Sequence, residues 1–288
     1  MQTISKEHIV RTFDATHPPA ARVQPGEVFV METNDRFRDW NDGGQWPMEQ
    51  LSVMTGPVWI EGAQPGHTLA IEVLDIRPAL GFGYVVAIPG YGLLKDQVEF
   101  CKKVVPIEGN RIRYNDTISL PFIPNISKIG LAPADGSLPS NAVGAFGGQL
   151  SNSQLGSGST VFLPVSVEGG LLSIEDVHAR MGDGEATASA VEIAAEVTLR
   201  CRVAHEFPVQ RPLVITQDEV LTMGDGETME VAARQALEDL SRLLEDRAGV
   251  NPTEAAMLAS VAADLRISEA AGSPCHVRAA IDRDILNL

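Results

Sequence analysis

"AAEVTLRCRV", residues 194–203, sets Val197, Leu199, Cys201 and Val203 in strict alternation with Glu196, Thr198, Arg200 and Arg202. A period of two puts one set on each face of an extended chain, so the stretch predicts a β-strand buried on one side. Runs of the same kind recur on both sides of it. "EVFVMET" (27–33), "GPVWIEGA" (56–63), "TLAIEVLDIRP" (68–78), "YVVAIPG" (84–90), "STVFLPVSV" (159–167) and the fuller "AVEIAAEVTLRCRV" (190–203) all read as strands. Within 69–76, Leu69, Ile71, Val73 and Asp75 share one face, and Ala70, Glu72, Leu74 and Ile76 the other. That is the pattern of a strand covered fully on one side and in part on the other. Between the runs, "QPG", "IPGYG", "PADGSLPSNAVGAFGG" and "LGSGS" supply turns. From residue 22 to about 220 the expectation is a β-sandwich or barrel.

The pattern changes near residue 222. Ala233, Ala236, Leu237, Leu240, Leu243 and Leu244 recur at helical spacing, predicting a helix over 227–247. A second helix opens at "NPTEAAMLASVAADL", with Asn251 as cap, Pro252 in the first turn and Glu254 completing a capping box. The expected division is a β-rich body over 1–221 that carries the site loops, and a helical C-terminal part over 222–288 packed on it.

The 288 residues carry a formal net charge of −16 with no cluster of Lys or Arg. Nucleic-acid binding needs a basic surface to displace counterions, so that class is excluded, and an acidic surface also repels anionic membranes. No apolar run approaches the roughly 18–20 residues that span a bilayer. "MQTISKEHIVRTFDATHPP" lacks a basic segment followed by an apolar one, so the expected location is the cytoplasm. Three widely spaced cysteines, Cys101, Cys201 and Cys275, read as reduced structural thiols. Small neutral or cationic molecules and metal cations remain as ligands.

One stretch concentrates titratable groups. "SIEDVHARMGDGEAT" (173–187) holds Asp176, His178, Asp183 and Glu185 within ten residues. In an extended chain Asp176 and His178 point to the same side, about 6–7 Å apart at the backbone. Carboxylate and imidazole together suit zinc or another borderline divalent ion, and a glutamate nearby suits a general base. Gly182 and Gly184 allow the turn that brings Asp183 and Glu185 round. The residues alone equally admit a strand end followed by a solvated acidic turn. "MGDGE" occurs again at 223–227, where its acids read as helix N-terminal charges. Glu32, Asn34 and Asp35 in "METNDRF" and Glu61 in "GPVWIEGA" are weaker candidates, each also readable as an ordinary turn or surface group. Trp40 and Trp46 are candidates to line a pocket or to pack in the core. His8, His17, His67 and His205 have no partner at ligand spacing. No G-x-S-x-G elbow, H-E-x-x-H motif or Walker loop is present, and "GFGYVV" and "GYGLLK" do not complete a dinucleotide fingerprint.

In five ordered segments the chain resembles the acetamidase/formamidase family. "METNDRF" is similar to that family's ETxD stretch, and "TGPVWIEGAQPGHTLAIEVLDI" to its TGPVxVEGAxPGDxL. "IPNISKIGLAP" (123–133) resembles IPxxPMIGxIGVAP, and "GSTVFLPVSVEGGLLSIEDVHARMGDGE" resembles GSTLYLPVxVPGALFSxGDxHAxQGDGE. "EAAMLASVAADLRIS" has a counterpart as well. The resemblance implies a mainly β, jelly-roll-like β-sandwich with added α/β elements and two C-terminal helices, working as a homodimer or larger homo-oligomer. It implies hydrolysis of a short linear amide, of formamide or acetamide type, to acid and ammonia by a metal-activated water. A small neutral amide is then the substrate. A divalent metal is implied, zinc first and calcium as the alternative. Carried over by motif, Asp35, Asp176 and His178 are the expected metal ligands, and Glu61, Asp183 and Glu185 the expected catalytic acids. Alternatives are a hydrolase of a cyclic amide, urea-like compound or ester, and a non-catalytic binding relative. The chain departs from the family pattern at Gln149 and Ser151 (for GGNxD), at Glu175 (for Gly), at Met181 (for Gln) and at Ser127-Lys128 (for Pro-Met).

Overall fold

The computed structural model describes residues 1–37, 52–205, 207–271 and 274–288. Among these the chain forms a mainly β, jelly-roll-like sandwich with two helices. One sheet runs in the order Gln2–Ile4, Val28–Thr33, Ala195–Val203, Thr68–Pro78, Thr160–Pro164, Leu213–Ile215, Glu219–Gly226, Cys275–Asp282, Asp264–Glu269. The other contains Cys101–Glu108, Phe82–Ala87, Val191–Glu192, Leu172–Arg180, Asn125–Gly130 and Gly147–Gln149 in that order. Met54–Ile60 also pairs with Leu172–Arg180. Leu69, Ile71 and Val73 of the first sheet and Ile126, Ile129, Ile174 and Val177 of the second join one apolar cluster between the layers.

The run that predicts a single strand over 190–203 is two strands in opposite sheets. Ala195–Val203 lies in the first sheet with Ala195, Val197, Leu199 and Cys201 buried, as its alternation requires. Val191–Glu192 lies in the second and pairs with the 172–180 strand. The chain changes layers between them at Ile193–Ala194, both buried, and a period of two carries no mark of that crossing. The faces of 68–78 also shift. Thr198 pairs with Asp75 but Leu199 with Val73, so Leu74 bulges out of the ladder. Beyond the bulge Ile76, not Asp75, is the buried side chain.

The helices run over Met229–Ala248 (α1) and Pro252–Ala262 (α2). Thr228 caps α1, Gly249 closes it at φ 67°, and Asn251 with Glu254 forms the expected capping box. Helix α1 starts later than position 227, and the second "MGDGE" lies mostly in the 219–226 strand. There Asp225 pairs with Arg211 instead of meeting a helix terminus. Gly224 is what lets α1 dock on this strand, since a Cβ at that position would lie 2.0 Å from the Ala232 carbonyl. Buried Ala236, Leu240 and Leu244 of α1 pack on Ala70, Phe162 and Ala279. Beyond residue 222 the chain also supplies the strands Asp264–Glu269 and Cys275–Asp282 to the first sheet. No described helix is long and apolar enough to cross a membrane. Among the described residues none of the three cysteines forms a disulfide. Trp40 and Trp46 lie outside the described residues.

Candidate metal centre and cavity

The 172–180 strand is buried along nearly its whole length and pairs with Asn125–Gly130. The ladder omits the pair Ser127–Asp176, and there Asp176 takes φ 61°. Asp tolerates the left-handed region better than most residues, yet such a position still costs about 1–3 kcal/mol and concentrates at functional sites. Asp176 and His178 stay on one side: His178 Nε2 lies 3.3 Å from Asp176 Oδ1. Glu192, opposite His178 in the ladder, places Oε2 at 3.2 Å from the same nitrogen. Asp176, His178 and Glu192 are all buried, and their ligand atoms lie within 4.8 Å of one another. Ser127 Oγ, at 3.3 Å from Nδ1, fixes the imidazole so that Nε2 faces the two carboxylates.

The electrostatics of this trio follow from burying unlike charges together. Burial works against a charged His178, but Glu192 and Asp176 outweigh it and hold its pKa well above the ordinary histidine value. Burial likewise raises Asp176, and Arg36 and His178 overcome that and hold it well below the usual carboxylate range. The Arg36 guanidinium, itself buried, stands 3.5 Å from Asp176 Oδ1. Among the described residues Asp176 Oδ2 has no hydrogen-bond partner.

A divalent ion fits this donor set. Donors about 2.0–2.1 Å from a tetrahedral zinc stand roughly 3.3–3.4 Å apart, close to the separations between His178 Nε2 and the two carboxylates. The orphaned Asp176 oxygen is a further donor in reach of that centre.

Glu185 lies beside the trio at the wall of a cavity of about 600 Å³, which Arg36, Ser52, Gln149 and Glu269 also line. Its backbone stands at φ 40°, in a turn closed by Glu185 N–H on the Gly182 carbonyl at 3.2 Å. Burial pushes its pKa up to about 8; His178 opposes this, and the carboxylates of Asp176, Glu192 and Glu269 add to it.

The other expected site residues are not members of this trio. Asp35 is half-buried next to Arg36 and accepts the Phe37 N–H at 2.9 Å; it is not one of the three converging groups. Asp183 is partly exposed and bound by Arg278 at 2.5 Å and Ser153 at 2.6 Å, contacts that outweigh burial and lower its pKa. Glu61 follows the Met54–Ile60 strand and pairs with Arg22 at 3.2 Å and Trp59 Nε1 at 3.3 Å. Val58 faces Leu172, so Glu61 lies past one end of the 172–180 strand and His178 near the other. At about 3.3 Å per residue that separates them by roughly 25–30 Å. Glu192, which the sequence reading missed, sits inside an apolar run, and an acid with apolar residues on both sides is the signal that marks it.

The departures from the family pattern fall around the cavity as well. Lys128 and Glu175 face each other across the ladder and pair at 2.6 Å, both buried. Ser52 Oγ and Val53 N–H also bond Glu175, at 2.7 and 3.1 Å. Gln149 and Ser151 both donate to Glu269.

A buried Asp-His-Glu group that could hold a metal ion, beside a cavity lined in part by Glu185 and Arg36 in a β-sandwich, marks a candidate enzyme of small molecules. The chain belongs to the acetamidase/formamidase family, whose sequence model matches residues 5–143 and 143–287. It is similar to the solved acetamidase of Bacillus halodurans, at 34% identity and TM-score 0.92 over 99% of this chain and 100% of that one. It is also similar to a predicted acetamidase/formamidase of Thermoanaerobacter tengcongensis, at 30% identity and TM-score 0.94, covering 99% of this chain and 97% of that one. An acetamidase of Mycolicibacterium smegmatis is 27% identical over 58% of this chain and 59% of its own length. The chain thus spans about three fifths of that relative.

Proposed function

We propose that this protein hydrolyses a linear carboxamide to its acid and ammonia in the cavity beside Asp176, His178 and Glu192. The observation that carries the reading is that this trio neighbours a buried Glu185, which itself lines the cavity. Asp176, His178 and Glu192 would hold a divalent ion, zinc before calcium. When bound, it supplies a Lewis acid and a water of lowered pKa. Arg36, with donors only, faces the cavity and can receive the carbonyl oxygen as negative charge develops on it. Glu185, with its pKa near 8, holds a proton at neutral pH and can deliver it to the departing nitrogen. Water adds to the carbonyl carbon, the carbon–nitrogen bond breaks, ammonia leaves with the proton from Glu185, and the proton shed by the added water returns to Glu185 as the acid forms. A cavity of about 600 Å³ has room for amides longer than acetamide. With the reading go a cytoplasmic location and a homodimer or larger homo-oligomer, as resemblance to the family implies.

The test strips the protein of metal and adds zinc or calcium while ammonia release is followed from formamide, acetamide and longer amides. Release restored on at least one amide is the expected result. Stoichiometric metal binding with no release from any of them would sink the proposal.

A further inference from the structure

Glu269 ends the Asp264–Glu269 strand, and the polypeptide there runs beside the Gly184–Glu185 turn. A bridge joins Glu269 to Gly184, and the Ala270 N–H donates to the Gly184 carbonyl at 3.1 Å. The side chains of Glu185 and Glu269 therefore stand next to each other on the cavity wall. One oxygen of Glu269 is fully engaged: Oε2 accepts from Ser151 Oγ at 2.8 Å and Gln149 Nε2 at 3.2 Å, and lies 3.7 Å from His276 Nδ1. Oε1 has no partner among the described residues, although the side chain is 12% exposed and lines the cavity. A carboxylate offers about four acceptor sites, so the second oxygen of this cavity-lining side chain keeps acceptor capacity for a donor that enters the cavity.

Arg36, also on the cavity wall, brings only donors. Together the two residues present a donor and an acceptor to the same cavity. A primary amide carries the complementary pair, a carbonyl oxygen and two N–H groups. We propose that Glu269 receives the N–H of the substrate carboxamide and so sets specificity for primary amides over esters. Ser151 and Gln149 aim it for this task. The assignment rests on the reading of this cavity as the place of amide hydrolysis.

The metal-loaded full-length protein tests it with Glu269→Gln, in which an NH2 replaces one carboxylate oxygen at constant shape. Each protein is assayed with a primary amide and, as substrate or competitive inhibitor, the methyl ester of the same acid. The expected loss in kcat/KM for the amide is about 10- to 100-fold, carried mostly by KM, with the ester's KM or inhibition constant changed by less than about threefold. The double variant Ser151→Asp with Glu269→Ser returns a carboxylate to the same place and is expected to recover amide turnover to within about tenfold of the native protein. Equal losses on amide and ester, no loss on either, or no recovery in the double variant overturns the assignment. A native protein that releases no ammonia from any amide fails the broader reading first, before the variants are compared.

Discussion

Glu185 combines a left-handed backbone, near-complete burial and three carboxyl neighbours. Its pKa of about 8 against an ordinary 4.5 has a sign that can be worked out for the metal-free protein. Between those values the folded state keeps a proton that the unfolded chain releases, so the folded state binds more protons and stability falls as pH rises. Above pH 8 both states are ionised, and the penalty stays constant. Glu185→Gln removes this ionisation and leaves the neighbours in place. The melting temperature of the variant relative to the native protein is therefore expected to climb from about pH 4.5 to about pH 8 and then level off. Scanning calorimetry of both metal-free proteins over pH 4–9 checks it; a constant or closing gap contradicts the burial argument. In the loaded enzyme the same change is expected to cut kcat by about 100-fold or more through the lost proton transfer. Asp176 and His178 were readable from spacing, because two residues apart on a strand means one face. Glu185 stood beside them in the chain. Glu192 was marked only by its apolar neighbours, and its pairing with His178 carries no mark in the pattern; Glu269 was not readable, because it reaches the cavity through a pairing between remote segments.

The ladder between the 125–130 and 172–180 strands carries an ion pair where the family pattern has neither charge. Lys128 and Glu175 are each almost wholly buried, and their pairing at 2.6 Å replaces a solvent shell for both. A buried pair of this kind adds little net stability over apolar residues, but removing one partner strands the other charge. Lys128→Met alone is expected to cost about 3–5 kcal/mol, and Glu175→Gln alone a comparable amount. The double variant should lose less than the sum of the two, with a coupling of about 1–3 kcal/mol measurable in urea unfolding. Additive losses would mean the two residues act separately. Glu175 also ties Ser52 and Val53 to the centre of the sheet, so this element fixes one wall of the cavity. At this scale strand identity was legible from alternation, whereas bulges and crossings were not. Leu74 leaves the ladder and Ile193–Ala194 changes layer without any break in the apolar pattern.

Taken whole, the molecule does not divide where its sequence changes character. The 219–226 strand crosses the expected boundary at 221/222 and holds two partners at once, Leu213–Ile215 on one side and Cys275–Asp282 on the other. Cutting after residue 221 removes the second partner along its whole length. It also uncovers Ala70, Phe162, Leu213 and Val220, which are buried with Leu240, Leu244 and Ile281 in one apolar cluster. Apolar surface of this size costs about 25 cal/mol for each Å² returned to water, and the exposed strand edge offers unpaired backbone groups to other chains. The same cut removes Glu269 from the cavity and Arg278 from Asp183. A fragment of residues 1–221 is therefore expected to be insoluble or unfolded by circular dichroism, and the full chain to unfold in one cooperative calorimetric transition. A soluble, folded 1–221 fragment, or two well-separated transitions in the intact protein, would show that the sheet is less continuous energetically than its hydrogen bonds make it.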